Sequence, residues 1–61
     1  MSPAKFKAIR LGLGLSASQT AQALGLSDGR VIRLYEAGQS KIGGPVQRLM
    51  REFEDGTIDP I

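Results

Sequence analysis

The sequence predicts an all-α domain of four short helices, with three to five as the range, and three observations predict it. Apolar residues recur at helical spacing near both ends: Phe6, Ile9 and Leu13 at i, i+3, i+7, then Val46, Leu49, Met50 and Phe53 at i, i+3, i+4, i+7. Helix-opening residues stand ahead of four stretches, at Ser2-Pro3, Ser16, Ser27 and Pro45. No stretch alternates apolar and polar as a half-buried strand does, and the chain has no internal repeat or low-complexity tract.

The first helix is expected over about 3–12. Ser2 is its N-cap and Pro3 its first residue, where the missing N–H is no loss. Phe6, Ile9 and Leu13 form the buried stripe, Lys5, Lys7 and Arg10 avoid it, and Gly14 is the natural stop. The second helix follows at about 17–24. Ser16 and Gln19 have the spacing of a capping box, and Leu15 lies where a hydrophobic staple would sit. Thr20, Ala21 and Leu24 face inward, and Ala21 is small where two helices must touch. Gly25-Leu26-Ser27 is a tight turn, with Gly25 free to take φ > 0 and Leu26 filling the gap. Ser27 caps a third helix at about 28–37 that ends at Gly38, and Asp28 in its first turn suits the helix dipole. A polar, flexible link over 39–44 leads to Pro45 and a fourth helix at about 45–54, stopped by Asp55-Gly56. Residues 1–56 then form one domain and 57–61 a short tail.

Two short helices joined at a glycine corner have the logic of a helix-turn-helix, whose second helix enters the major groove of DNA. At about 100° per residue the third helix turns Val31, Leu34 and Tyr35 to one side and Gly29, Ile32, Arg33 and Glu36 to the other, with Asp28 and Arg30 on the flanks. The outward face therefore carries Arg33 at its centre and Arg30 at its edge. An arginine fork pairs with guanine O6 and N7 together, or with phosphate when it turns outward. Ile32 either meets a thymine methyl or packs against the first or fourth helix. Gly29 either lets the backbone approach the groove floor or is a poor helix former in the first turn. Arg30 and Arg33 would otherwise be solvated, or paired with Glu36 or Glu54. The expected base-contact set is Arg33, Arg30, Ile32, Gly29 and Asp28. Phosphate contacts are expected from element ends: Ser18, Gln19 and Ser27, then Gln39, Ser40 and Lys41, with Arg10 or Lys5 also in reach. Gln19 serves the capping box as well. Tyr35 reads as packing at the core edge.

Length and composition restrict the alternatives. A chain of 61 residues makes one domain, and one of this size buries only about 60% of its unfolded surface, so association adds needed burial. With no Cys and no His there is no disulfide, thiolate, usual zinc site or His-based catalytic dyad. The expectation is no metal, no cofactor, no evident small-molecule ligand and no enzyme activity. No apolar run spans a membrane and no signal peptide is seen, so the cytoplasm is the expected location. The formal net charge is +2. Residues 1–51 hold all eight Lys and Arg with only Asp28 and Glu36 as acids, which gives +6. Residues 52–61 hold Glu52, Glu54, Asp55 and Asp59 and no base, which gives −4. A basic body with an acidic tail suits a polyanion approached from one side, and equally an ordinary solvated surface.

The run FKAIRLGLGLSASQTAQALGLS, then Val31 and Leu34, and the ending Glu36-Ala37-Gly38 resemble the phage Cro and repressor-type (XRE-like) helix-turn-helix family over about residues 6–53. Ala21, Gly25, Leu26, Val31 and Leu34 stand at that family's packing and turn positions. The resemblance implies base reading by Asp28, Gly29, Ile32 and Arg33. The segment GLSDGRVIR is also similar to small phage autorepressors that accompany anti-CRISPR genes. Three features depart from the family: Ala17 stands where a phosphate-holding Gln is usual, Gly29 replaces a polar reader beside the acid Asp28, and the usual fifth helix has no counterpart.

The expected function is sequence-specific recognition of double-stranded DNA by a repressor or autorepressor, in the bacterial cytoplasm or a phage-infected cell. It would bind an inverted-repeat operator as a homodimer, with reading helices about 34 Å apart. Met50, Phe53, Ile58 and Ile61 are the expected dimer contacts, or else core, while Val46 and Leu49 are expected in the core. The rival is a protein-interaction or antitoxin-like adaptor domain on the same scaffold.

Overall fold

In a computed structural model of the chain, the structure describes residues 1–60. Ile61, expected at a dimer contact, lies outside them. The helices are α1 (Pro3–Gly12), α2 (Ala17–Ala23), α3 (Arg30–Glu36) and α4 (Gly44–Asp55), and there is no strand among the described residues. The all-α expectation is met. No helix among them is long and apolar enough to cross a membrane.

Local chemistry sets most of the ends. The Ser2 hydroxyl accepts from the Lys5 N–H at 3.1 Å, and Pro3 opens α1. The capping box of α2 is formed in full. Gln19 N–H donates to Ser16 Oγ at 3.1 Å and Ser16 N–H donates to Gln19 Oε1 at 2.9 Å. Gly25 takes φ 74°, and the turn closes with Leu26 N–H on the Ala21 carbonyl at 2.8 Å.

The start of α3 differs from the expectation. Ser27 does not cap it. The Asp28 carboxylate accepts from Arg30 N–H at 2.8 Å, and the regular helix begins only after Gly29. Gly29 is the N-cap and has no side chain to cap with, so the Asp28 carboxylate, two residues before that N–H, closes a local turn at the helix start.

α1 packs against both α3 and α4, and α2 packs on α3. Phe6, Ile9, Ala21, Ile32, Tyr35, Ile42, Met50 and Phe53 form the core. Phe6 and Tyr35 meet edge to face, with centroids 5.5 Å apart. Thr20 is also fully buried, and its hydroxyl donates to the Ser16 carbonyl at 2.9 Å.

Three further expectations are corrected here. α3 buries Ile32 and Tyr35, while Val31 is half-buried and Leu34 is exposed. In α4, Met50 and Phe53 are core residues, not dimer contacts, and Val46 and Leu49 pack at the core's margin. Met50 and Phe53 take the deepest positions of α4, while its arginines Arg48 and Arg51 stay exposed. The link between α3 and α4 is anchored at its centre, since Ile42 is buried and its carbonyl accepts from Gln47 Nε2 at 2.9 Å.

Candidate functional site

The starts of α2 and α3 come together at Gly29. A methyl group placed there would lie 3.1 Å from Ser18 N, 3.2 Å from the Ala17 carbonyl carbon and 3.4 Å from Ala17 Cβ. Only a residue without a side chain allows this approach without displacing backbone. The result is an open groove of ≈ 360 Å³ with Ser16, Ala17 and Ser18 on one wall and Asp28, Gly29, Arg30 and Arg33 on the other.

The solvent face of α3 is formed by Arg30, Arg33 and Leu34, at i, i+3 and i+4, and is continued by Ala37 at the C-cap, all exposed. Arg33 has no ion pair or side-chain hydrogen bond among the described residues. Arg30 is loosely tied to Asp28 at 3.4 Å, with its side chain 84% exposed. An exposed pair of that kind is worth about 0–1 kcal/mol and is easily exchanged for another anion.

The partners that would have neutralised Arg33 are used elsewhere. Glu36 accepts from Arg10 Nε at 2.6 Å and from Arg10 Nη2 at 3.0 Å, while Arg10 Nη1 donates to the Leu15 carbonyl at 3.0 Å. Both side chains are more than four-fifths buried. The hydrogen bond to Glu36 raises the Arg10 pKa further, against the lowering effect of burial, so the guanidinium stays charged. Arg10 is therefore a strut between α1 and α3, not a cation free to reach an outside anion. Lys5 pairs with Glu54 at 3.0 Å on the surface.

The expected site residues divide into groups. Ser18, Asp28, Gly29, Arg30 and Arg33 share one groove. Both Asp28 oxygens are engaged locally, one on the Arg30 N–H and one on its guanidinium, so Asp28 closes the turn before α3 and serves as counter-charge, not as a free reader. Gln19 is exposed; its oxygen is held by Ser16 N–H, which leaves its NH₂ group facing solvent. Ser27 is exposed without capping. Gln39, Ser40 and Lys41 line a second groove, of ≈ 400 Å³, with Met1, Pro3 and Gln47. Ile32 is removed from the set because it is 0% exposed and touches only the interior.

Sequence reasoning placed Leu34 inside, yet it is 41% exposed. The signal was the pair Ile32 and Tyr35 at i, i+3, which competes with Val31 and Leu34 for the core. A late helix start and the depth of the Ile32 pocket decide between them. Ile58 is exposed to the same extent, in the tail.

No family model, curated protein sequence or solved structure matches this chain.

Proposed function

We propose that the chain is a helix-turn-helix regulator of the phage-repressor kind, which binds double-stranded DNA and acts as a repressor or autorepressor. The observation that carries this reading is the solvent face of α3, where Arg33 has no partner among the described residues and Arg30 only a loose one, beside the start of α2 across Gly29. An α-helix with its side chains is about 10–12 Å wide, which suits a major groove of ~12 Å. Arg33 pairs with a guanine edge, and Arg30 takes a neighbouring base or phosphate. Ser18 and the free NH₂ of Gln19 hold one stretch of backbone; Gln39, Ser40 and Lys41, beyond the other end of α3, hold another.

Binding to an inverted repeat as a homodimer belongs to the same proposal. Met50 and Phe53 are spent on the core, so the contact between copies falls to other residues, with Ile58 still exposed in the tail.

The test is selection from a random duplex library, followed by titration of the enriched duplex in rising salt. Binding through several phosphate contacts weakens steeply with salt. Recovery of a palindromic site with a steep salt slope supports the proposal. Failure to enrich any sequence, or an affinity indifferent to salt, rejects it in favour of an adaptor that binds protein.

A further inference from the structure

Leu34 is a large apolar residue that leaves 41% of its surface in solvent, on a helix whose other exposed positions are both arginines. It follows Arg33 directly and lies one turn after Arg30. Leu11 and Ile58, the other exposed large apolar residues among the described ones, belong to α1 and the tail. Leu34 cannot turn inward to escape water. Ile32 and Tyr35 hold the opposite side of α3 in the core, and the Leu34 carbonyl accepts from Gln39 N–H at 3.0 Å and Ser40 N–H at 3.3 Å.

A surface that presents one apolar point beside two arginines selects among partners. A second copy of the same face is disfavoured, because it would set Arg30 and Arg33 against their own likeness. A polyanion with an apolar projection at its reading edge fits. In the major groove of DNA, that projection is the C5-methyl group of thymine.

We propose that Leu34 is a specificity-determining residue that packs on a thymine methyl beside the base pair read by Arg33. The proposal rests on the DNA-reading role of α3 given above. It assigns to Leu34 what residue spacing had offered to Ile32, now that Ile32 is enclosed.

The experiment compares wild-type protein with Leu34→Ala on the selected duplex and on copies in which each thymidine in turn is deoxyuridine, which lacks only the methyl. One position is expected where deoxyuridine weakens wild-type binding about fourfold, the equivalent of ~0.8 kcal/mol for one methyl taken out of contact. At that position Leu34→Ala binds both duplexes alike, while it stays folded at the assay temperature. Deoxyuridine tolerated at every position, while Arg33→Ala still loses specificity, overturns the Leu34 assignment and leaves the DNA-binding reading standing. A Leu34→Ala loss that is equal on both duplexes overturns it too. A second selection from a library carrying 5-methylcytosine separates the two sources of a pyrimidine methyl: enrichment there at a position where thymine is not enriched rejects thymine. If no library yields a sequence, both proposals fall together.

Discussion

Arg10 grips Glu36 with two parallel hydrogen bonds of 2.6 and 3.0 Å, and so ties α1 to the end of α3. The fork geometry uses both carboxylate oxygens, and the third nitrogen of Arg10 reaches the Leu15 carbonyl just ahead of α2. One side chain thus joins the elements that hold the candidate reading helix. It also removes from the surface the acid that stands one turn from Arg33.

Glu36→Ala leaves a largely buried guanidinium with one carbonyl for company. The expected cost is about 2–4 kcal/mol, toward the lower range for breaking a buried pair because some solvent still reaches it. A domain of this size has only a few kcal/mol of stability, so thermal melting should show a drop of tens of degrees or no folded baseline. Arg10→Met combined with Glu36→Leu removes both charges and should recover most of the loss. A double variant no more stable than Glu36→Ala would contradict this account.

Arg33→Ala and Lys41→Ala should differ in kind. Loss of an arginine fork on a base costs about 1–3 kcal/mol and relaxes preference at one base pair. Loss of a lysine on phosphate weakens all sequences alike and lowers the salt slope by about one unit. Fluorescence anisotropy at several salt concentrations, on the selected site and on a scrambled duplex, reads both effects.

Gly29→Ala tests the close approach of the helix starts. Gly29 has an ordinary helical backbone at φ −72°, so alanine is not strained there, and its reduced unfolded-state freedom favours folding by about 0.4–1 kcal/mol. The added methyl meets backbone of Ala17 and Ser18 at 3.1–3.2 Å, which pushes the two helices apart by a few tenths of an ångström. Overpacking of this kind costs about 1–3 kcal/mol against that gain, so stability is expected to fall by about 0–2.5 kcal/mol while DNA affinity falls. A variant that binds as the wild type does would mean that the spacing across Gly29 is not read.

Phe53→Ala separates core from interface. Truncation of a buried phenylalanine costs about 3–5 kcal/mol, enough to unfold most of the population. The loss should be the same at every protein concentration. A loss relative to wild type at the same concentration that changes with dilution would instead return Phe53 to a contact between copies.

Much of the local architecture was legible. The limits of α1, the Ser16–Gln19 capping box and the corner at Gly25 all follow from residues within four of each other. The chemistry of caps and turns is complete at that range. The rotation of α3 was not legible, because Val31, Leu34 and Tyr35 and the pair Ile32 and Tyr35 are both acceptable helical stripes. Nor was the Arg10–Glu36 strut, whose partners are 26 residues apart and carry no pattern that joins them.

The sequence by itself determined that this chain forms short helices, where they begin and end to within two residues, and that one of them carries arginines next to a glycine turn. The tertiary structure alone decided which side of that helix meets solvent, which acid is withdrawn from it, and that Met50 and Phe53 are interior. Caps and turns are settled by neighbours along the chain. Burial and charge pairing are settled by competition among distant residues for a small interior, and the outcome depends on all the helices at once.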